Sequence, residues 1–217
     1  PDVRSKLNEE TEIIAFRYYN FVFLRNPSTP FEHTDDIYAL VNVREDPLVP
    51  LMENFLSAIK AEAKLNNIRT LPEPRHHHKN YRWHLDRPPE RTYDLIEIRR
   101  TFQTGLVFDF DMRRAVFHFD RNVLVDFRTW ETREVYYLDF SAKARLIRVK
   151  DQDILWQGVC EITDGGLTRE DFPEIVDGFA KQLKFSSSVK LSALAQEKLD
   201  SAINACVMEL VKQFMRK

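Results

Sequence analysis

Residues 134–162 carry the pattern that most constrains the fold of this chain. In "EVYYLDFSAKARLIRV" (residues 134–149), apolar and polar residues alternate, which is typical of a β-strand with one buried and one wet face. The predicted buried face contains Tyr136, Leu138, Phe140, Ala142, Ala144 and Leu146, and the wet face carries Asp139, Ser141, Lys143 and Arg145. The charged "KDQD" that follows predicts a hairpin turn into a second strand, "DILWQGVCEI" (residues 153–162).

Four further strands are expected before this hairpin. The segments are rich in Val, Ile, Phe and Tyr, which favour strands. They are "TEIIAFRYYNFVFL" (11–24), "GLVFDFD" (105–111), "AVFHFD" (115–120) and "VLVDFRTW" (123–130), with short turns between the last three.

Two regions have helical spacing. In "DPLVPLMENFLSAIKAEAKLNNI" (46–68) apolar residues recur every three or four positions, with Asp46 as the expected N-cap and Pro47 in the first turn. Near the end, one stripe contains Leu191, Leu194, Ala195, Leu199, Ala202, Cys206, Leu210 and Phe214. A short helix is also expected within 168–183, with Thr168 as N-cap and Asp171 three residues later. The sequence therefore predicts an α/β fold of the α+β type: a mainly antiparallel sheet covered by a helix from the N-terminal half and a long C-terminal helix.

The whole chain, residues 1–217, is expected to form a single domain. Residues 70–94, "TLPEPRHHHKNYRWHLDRPPERTYD", are the least regular part, and their prolines and histidines predict a loop or an insertion. Arg, Tyr and Trp are enriched at binding hot spots, so this loop is a candidate partner-binding segment. Its candidate residues are Arg75, His76, His77, His78, Tyr81 and Trp83.

Composition excludes several common functions. The chain has only five glycines and contains no GxGxxG, GxxxxGK[ST] or GxSxG pattern, so the usual signatures of dinucleotide, ATP and hydrolase chemistry are absent from the sequence. The formal net charge of −2 gives no overall basic excess for binding nucleic acid. We expect no cofactor and no bound metal.

Cys160 and Cys206 are the two cysteines of the chain. Cys160 shares a strand face with Ile154, Trp156 and Ile162, and Cys206 lies on the apolar stripe of the last helix. If that helix covers the sheet, the two sulfur atoms approach each other from facing layers. From the residues alone, a disulfide and two separate buried thiols are equally acceptable.

Two other groups could carry chemistry. The carboxylates of Asp109, Asp111, Asp120 and Asp126 lie in consecutive predicted strands and could converge on a cation, or His76 to His78 could bind a transition metal. Strand alternation places Asp109 and Asp111 opposite Phe108 and Phe110, which favours a wet surface, and three adjacent histidines favour a solvated loop.

The segment "YYLDFSAKARLIRVKDQDILWQGVC" (136–160) resembles a family of uncharacterised periplasmic lipoproteins of Gram-negative bacteria. The resemblance extends to "GLVFDF", "VLVDFRTW" and the last-helix segment "LDSAINACVMELV". It implies an envelope domain similar to that of the curli-secretion lipoprotein, with no catalytic residues. It also implies that Cys160 and Cys206 form a disulfide, as an oxidising periplasm favours.

The expected function is therefore a non-enzymatic binding or scaffolding protein on the periplasmic face of the outer membrane. Its partner would be an envelope protein or a second copy of the chain, and membrane association would use a lipid anchor that this chain does not contain. The main alternative is a metal-dependent hydrolase using the Asp-bearing strands or the histidine cluster. A third is a cytosolic nucleic-acid or adaptor module using residues 75–87.

Overall fold

The computed structural model describes residues 3–9, 12–17, 22–26, 37–63, 66–71, 95–126, 131–172 and 188–216. Helices and strands alternate unevenly along the chain. The helices are α1 (Val3–Glu9), α2 (Leu48–Ala63), α3 (Leu95–Phe102) and α4 (Ala193–Met215), with a 3-10 turn at Arg169–Asp171. The strands are β1 (Ile13–Arg17), β2 (Phe23–Asn26), β3 (Ile37–Asn42), β4 (Ile68–Thr70), β5 (Leu106–Asp126), β6 (Glu131–Arg148), β7 (Ile154–Leu167) and β8 (Ser188–Lys190).

The described strands form one sheet built around β5. Along one edge, β5 pairs antiparallel with β6, which pairs antiparallel with β7. Along its other edge, β5 pairs in parallel with β1 and then with β2. Beyond β1 lies β4, and beyond β2 lie β3 and β8. The fold is α+β as predicted, but the sheet is mixed rather than mainly antiparallel.

Four strand pairings are parallel among the described residues, and the sequence prediction missed them because none is a hairpin. The pairs β1–β4, β1–β5, β2–β5 and β3–β8 all join segments far apart in the chain. Parallel strands need crossover connections, and α2 is part of the connection between β1 and β4. Among the described strands, the antiparallel pairings are those of the β5–β6–β7 meander and of β2 with β3. Antiparallel pairing between strands that are neighbours in the chain is the arrangement that short-range patterns predict.

The segment predicted as one strand over residues 11–24 is described as two, β1 and β2. Both pair with β5 in the same register. Ile13 lies opposite Leu106, and ten residues later in both segments Phe23 lies opposite Val116. Residues 18–21, between the two strands, lie outside the described part of the chain.

The opposite error occurs in β5, where three predicted strands are one strand of 21 residues. An irregularity between Met112 and Arg114 inserts an extra residue and shifts the alternation. Phe108 and Phe110 face the main core before this bulge, and Ala115 and Phe117 face it afterwards. The polar bulge has the composition of a turn, which explains the wrong boundary.

The main core lies between the sheet and the two predicted helices, α2 and α4. Phe55 of α2 lies at its centre, with its ring stacked 5.6 Å from that of Trp156 and edge-on to those of Phe110 and Phe214. Such aromatic contacts contribute roughly 0.5–1.5 kcal/mol each beyond burial. All six residues predicted for the inward face of β6 are buried.

Side chains cap the starts of both α2 and α4. The Asp46 carboxylate accepts a hydrogen bond from the Leu48 amide (3.0 Å) at the start of α2, which confirms the predicted cap. Ser192 caps α4 by accepting from the Ala195 amide (3.0 Å). The Asp171 carboxylate accepts from Ser192 Oγ (2.7 Å) and from the Thr168 amide (2.8 Å), so it joins the end of β7 to the start of α4.

The predicted helix within 168–183 is described only at its start. Arg169–Asp171 forms a 3-10 turn, and Asp171 bonds back to Thr168 as the capping pattern predicted. Residues 173–187 lie outside the described part of the chain.

A second, smaller core lies on the other face of the sheet. It contains Ile14, Phe16, Ile98, Val107, Ile147 and Val149. Ile98 belongs to α3, a helix that the sequence interpretation did not recognise. This face is therefore covered at one end instead of being wet throughout.

The residues of β7 do not alternate strictly between the two faces of the sheet along the whole strand. Leu146 pairs with Trp156 but Ile147 pairs with Ile154, so an irregularity at the start of β7 turns Ile154 to the other face. Ile154 is 51% exposed, and the prediction that it shares the core face with Trp156 and Cys160 was wrong.

Candidate functional site

The three longest strands carry a row of polar side chains on the face opposite α2 and α4. We call this set the polar face. It comprises Asp109, Asp111, Arg114 and His118 of β5, Tyr137, Asp139, Ser141, Lys143 and Arg145 of β6, and Thr163 of β7. Antiparallel register brings these residues together, because Asp109 lies opposite Arg145, and His118 lies opposite Tyr137.

One end of the polar face is a buried ion pair. Arg145 donates a hydrogen bond from Nε to Asp109 Oδ2 (2.6 Å), and its Nη2 lies 2.6 Å from the same oxygen. Asp109 is fully buried and Arg145 is 8% exposed. The prediction of a wet surface for Asp109 and Asp111 was wrong, because Asp109 lies between the buried Phe16 of β1 and Arg145 of β6, and Asp111 is only 4% exposed.

The buried pair weakens the case for a catalytic carboxylate cluster. A cation site needs carboxylate oxygens that are free to act as ligands, and an Arg guanidinium already neutralises Asp109. The side chains of Asp120 and Asp126 lie outside the described residues, although both belong to β5. Among the described residues, no group of three His, Cys, Asp or Glu side chains is placed to hold a metal ion.

The other end of the polar face is centred on Asp139 and is open to solvent. Its carboxylate accepts a hydrogen bond from Thr163 Oγ1 (2.8 Å). The same group lies 3.5 Å from Arg114 Nη1 and 3.4 Å from His118 Nδ1. The His118 ring stacks on the Tyr137 ring at 5.9 Å. This end offers charged, hydroxyl and aromatic groups held in fixed relative positions.

Gly165 makes the stack of His118 on Tyr137 possible. A Cβ atom at residue 165 would lie 2.7 Å from Tyr137 Cε1, so only glycine lets β7 pass this close to the ring. The sequence interpretation missed the Asp139 cluster. Alternation places Tyr137, Asp139 and Ser141 on one face, but His118 and Thr163 join them only through the register of β5 and β7.

The disulfide joins the sheet to the long helix. Cys160 of β7 and Cys206 of α4 are bonded, with their Cα atoms 5.3 Å apart. Both residues are buried in the main core. Gly158, two residues before Cys160, packs under the Trp156 ring, since a Cβ atom there would lie 2.7 Å from Trp156 Cζ2 and 2.9 Å from Leu210 Cδ2.

A charged group is also buried at the end of β1. Arg17 Nε donates to Asp46 Oδ2 (3.2 Å), and both side chains are about nine-tenths buried. Burial raises the pKa of Asp46 above its usual value, although the hydrogen bond from the Leu48 amide and the Arg17 charge act in the other direction. Asp46 therefore both caps α2 and pairs with the buried Arg17 guanidinium.

A groove of about 340 Å³ lies between the starts of α2 and α4. Leu199 and Ile203 form an apolar part of its wall, and Arg44 and Asp200 are among the polar residues that line it. Gln196 is buried there and donates to Asp200 Oδ1 (2.9 Å).

The candidate partner-binding residues Arg75, His76, His77, His78, Tyr81 and Trp83 lie within 72–94, outside the residues that the structure describes. Their role remains a prediction from the sequence. In the described part of the chain, no helix is both long and apolar enough to cross a membrane.

No protein-family model matches the sequence, and no curated protein matches it. Similar solved structures include a Xanthomonas campestris protein of family DUF330, with 9% identity, a TM-score of 0.43, and coverage of 92% of this chain and 81% of that one. They include a Neisseria meningitidis lipoprotein, with 12% identity, a TM-score of 0.35, and coverage of 79% and 92%. The PelC dodecamer from Paraburkholderia phytofirmans is similar at 11% identity and a TM-score of 0.38, covering 100% and 94%. At these values the likeness identifies neither a shared family nor a shared activity.

Proposed function

We propose that this chain is a non-enzymatic binding or scaffolding protein that works in an oxidising compartment of the bacterial cell envelope. The observation that carries the proposal is the buried disulfide between Cys160 and Cys206. Disulfides persist in the periplasm and are rare in the reducing cytosol of most organisms.

The position of the disulfide supports a structural role for it. The bond links β7 to α4 across a separation of 46 residues, so it ties the last helix to the sheet. A loop of this length corresponds to roughly 4 kcal/mol on the chain-entropy model. Both cysteines are almost completely buried, which favours a permanent link over a thiol that exchanges with substrates.

The polar face supports binding over catalysis. Its carboxylates already have partners: Asp109 is paired with Arg145, and Asp139 interacts with Arg114, His118 and Thr163. A metal-dependent hydrolase needs carboxylates or imidazoles that are free to bind a cation. The open end around Asp139 and Tyr137 instead offers the mixture of charged, hydroxyl and aromatic groups found at protein interfaces.

We further propose where in the cell envelope the protein is located. The resemblance of residues 136–160 to periplasmic lipoproteins supports a location on the periplasmic face of the outer membrane, with attachment through a lipid anchor. The partner would be another envelope protein or a second copy of the chain. Nucleic acid is not the expected partner, because the net charge of −2 provides no overall electrostatic attraction to phosphates.

The test measures free thiols and bound metal in the same sample. Protein isolated from its native compartment with a rapid thiol-alkylating quench is denatured without reductant and analysed by mass spectrometry. We expect no alkylated cysteine before reduction and two after it. Two alkylated cysteines before reduction would overturn the oxidising-compartment proposal, and a stoichiometric metal in elemental analysis would favour the hydrolase instead.

A further inference from the structure

The outer edge of β7 is covered at its middle by a side chain of α4. The amide of Gln213 donates from Nε2 to the carbonyl oxygen of Val159 (2.8 Å). Its Oε1 accepts from the Val159 N–H (3.1 Å). One side chain therefore satisfies both backbone groups of a single edge residue.

The geometry of these two bonds is that of a neighbouring strand. In an antiparallel sheet, a residue directs both its N–H and its C=O toward the same neighbour. Val159 lies opposite Lys143 of β6, and its bonds to Gln213 place its backbone groups on the side away from β6. The side-chain amide of Gln213 supplies the donor and the acceptor that a peptide group would supply. Glu209 accepts a second bond from Gln213 Nε2 (3.0 Å), which fixes the orientation of the amide.

The rest of this edge is able to accept a strand. β7 keeps one continuous register with β6 from Trp156 to Asp164, so Gln157 and Glu161 direct their backbone groups outward like Val159. Among the described residues, no strand pairs with this side of β7. A long edge with exposed backbone groups is a template for another chain, and proteins commonly block it with side chains.

We propose that Gln213 prevents β7 from pairing with β7 of a second copy of this chain. Two copies of an edge with uniform register can pair antiparallel about a twofold axis that passes beside Val159, which would bring Gln157 of each copy opposite Glu161 of the other. The Gln213 side chain occupies the centre of that interface. If the chain assembles with itself as a scaffold, it uses a different surface, so the inference goes beyond the proposed function.

The test replaces the blocking amide and measures self-association. Sedimentation velocity over a wide concentration range compares the wild type with Gln213→Ala and with Lys212→Ala, a control at the adjacent exposed position of α4. Loss of two hydrogen bonds from the blocked state should lower the dimer dissociation constant at least about tenfold in Gln213→Ala. Lys212→Ala should match the wild type.

Gln213→Met is a second variant that keeps the approximate length of the side chain and a high helix propensity without adding a charge. A thioether cannot donate to the Val159 carbonyl, so this variant should also associate more tightly than the wild type. If both folded variants keep the wild-type dissociation constant, Gln213 does not block the edge and the proposal is wrong.

A third variant tests whether the tighter association uses the outer edge of β7. Val159→Pro in the Gln213→Ala background removes the outward N–H, and because that N–H makes no bond to β6 the sheet keeps its own hydrogen bonds. The double variant should return to the wild-type dissociation constant. A dimer that persists in a folded double variant would show that association uses another surface, which would also overturn the proposal.

Discussion

The carboxylate of Asp109 is fully buried between strands, with the guanidinium of Arg145 on the neighbouring strand 2.6 Å away. The two residues are direct register partners, so the sheet itself brings them together. Desolvating both charges offsets much of their attraction, and such a pair contributes little net stability compared with apolar residues of the same size. Removing only one partner is strongly destabilising, because the other charge is then left buried without compensation.

Asp109→Ala should therefore destabilise the fold by about 3–5 kcal/mol. The double variant Asp109→Leu with Arg145→Met should regain most of that loss, because it replaces both charges by apolar groups. Urea unfolding followed by circular dichroism measures both. A double variant as unstable as the single one would contradict the uncompensated-charge explanation.

Arg148 provides the control for this experiment. It pairs with Asp151 and Asp153 at the β6–β7 hairpin, where all three side chains are at least one-third exposed. Exposed pairs are screened by solvent and contribute little to stability. Arg148→Ala should leave the free energy of unfolding nearly unchanged.

Gly158→Ala should destabilise the protein by about 1–3 kcal/mol through overpacking. The added methyl group would lie 2.7 Å from the Trp156 ring and 2.9 Å from Leu210, and both neighbours are enclosed in the main core. Thermal unfolding followed by circular dichroism measures the loss of stability.

Gly165→Ala is the matched comparison. Its methyl group also meets a ring at 2.7 Å, but the Tyr137 ring is only half-buried and can turn outward. We expect a smaller loss of stability at residue 165, together with a change in the His118 ring signals in NMR spectra because the stack with Tyr137 is disturbed. An equal loss at both positions would show that Tyr137 is as constrained as Trp156.

The sequence predicted the parts of the fold that depend on short-range periodicity. The six inward residues of β6 and the cap at Asp46 follow from patterns within one element, and the structure agrees with both. The burial of Asp109 could not be predicted in this way, because it depends on the parallel pairing of β1 with β5, which brings the buried Phe16 opposite Asp109. The bulge after Met112 had the composition of a turn.

The candidate site was less predictable than the fold for the same reason. Asp139 was correctly placed on the polar side of β6, but its partners His118 and Thr163 belong to other strands. A two-residue change of register would replace those partners completely. Cross-strand clusters of this kind require the pairing of the strands to be known.

The disulfide should stabilise the protein through the unfolded chain. Reduction of the wild type should lower the free energy of unfolding by up to roughly 4 kcal/mol, the chain-entropy value for this loop length. The variant Cys160→Ala with Cys206→Ala should unfold at the same denaturant concentration with and without reductant. If reductant does not change the unfolding of the wild type, the bond contributes no stability and its role in holding α4 on the sheet is wrong.

The final prediction concerns pH and Asp46. Burial raises the pKa of its carboxyl in the folded protein above the usual value of 3.8, so between the unfolded and folded pKa values the folded state binds more protons. The contribution of Asp46 to stability is therefore greatest below the unfolded pKa and falls as the pH rises through the folded pKa. Asp46→Asn keeps a capping side chain without this titration. The stability of the wild type minus that of the variant, from urea unfolding between pH 3 and pH 7, should thus decrease with rising pH. A difference that increases instead would mean that the interaction with Arg17 outweighs burial.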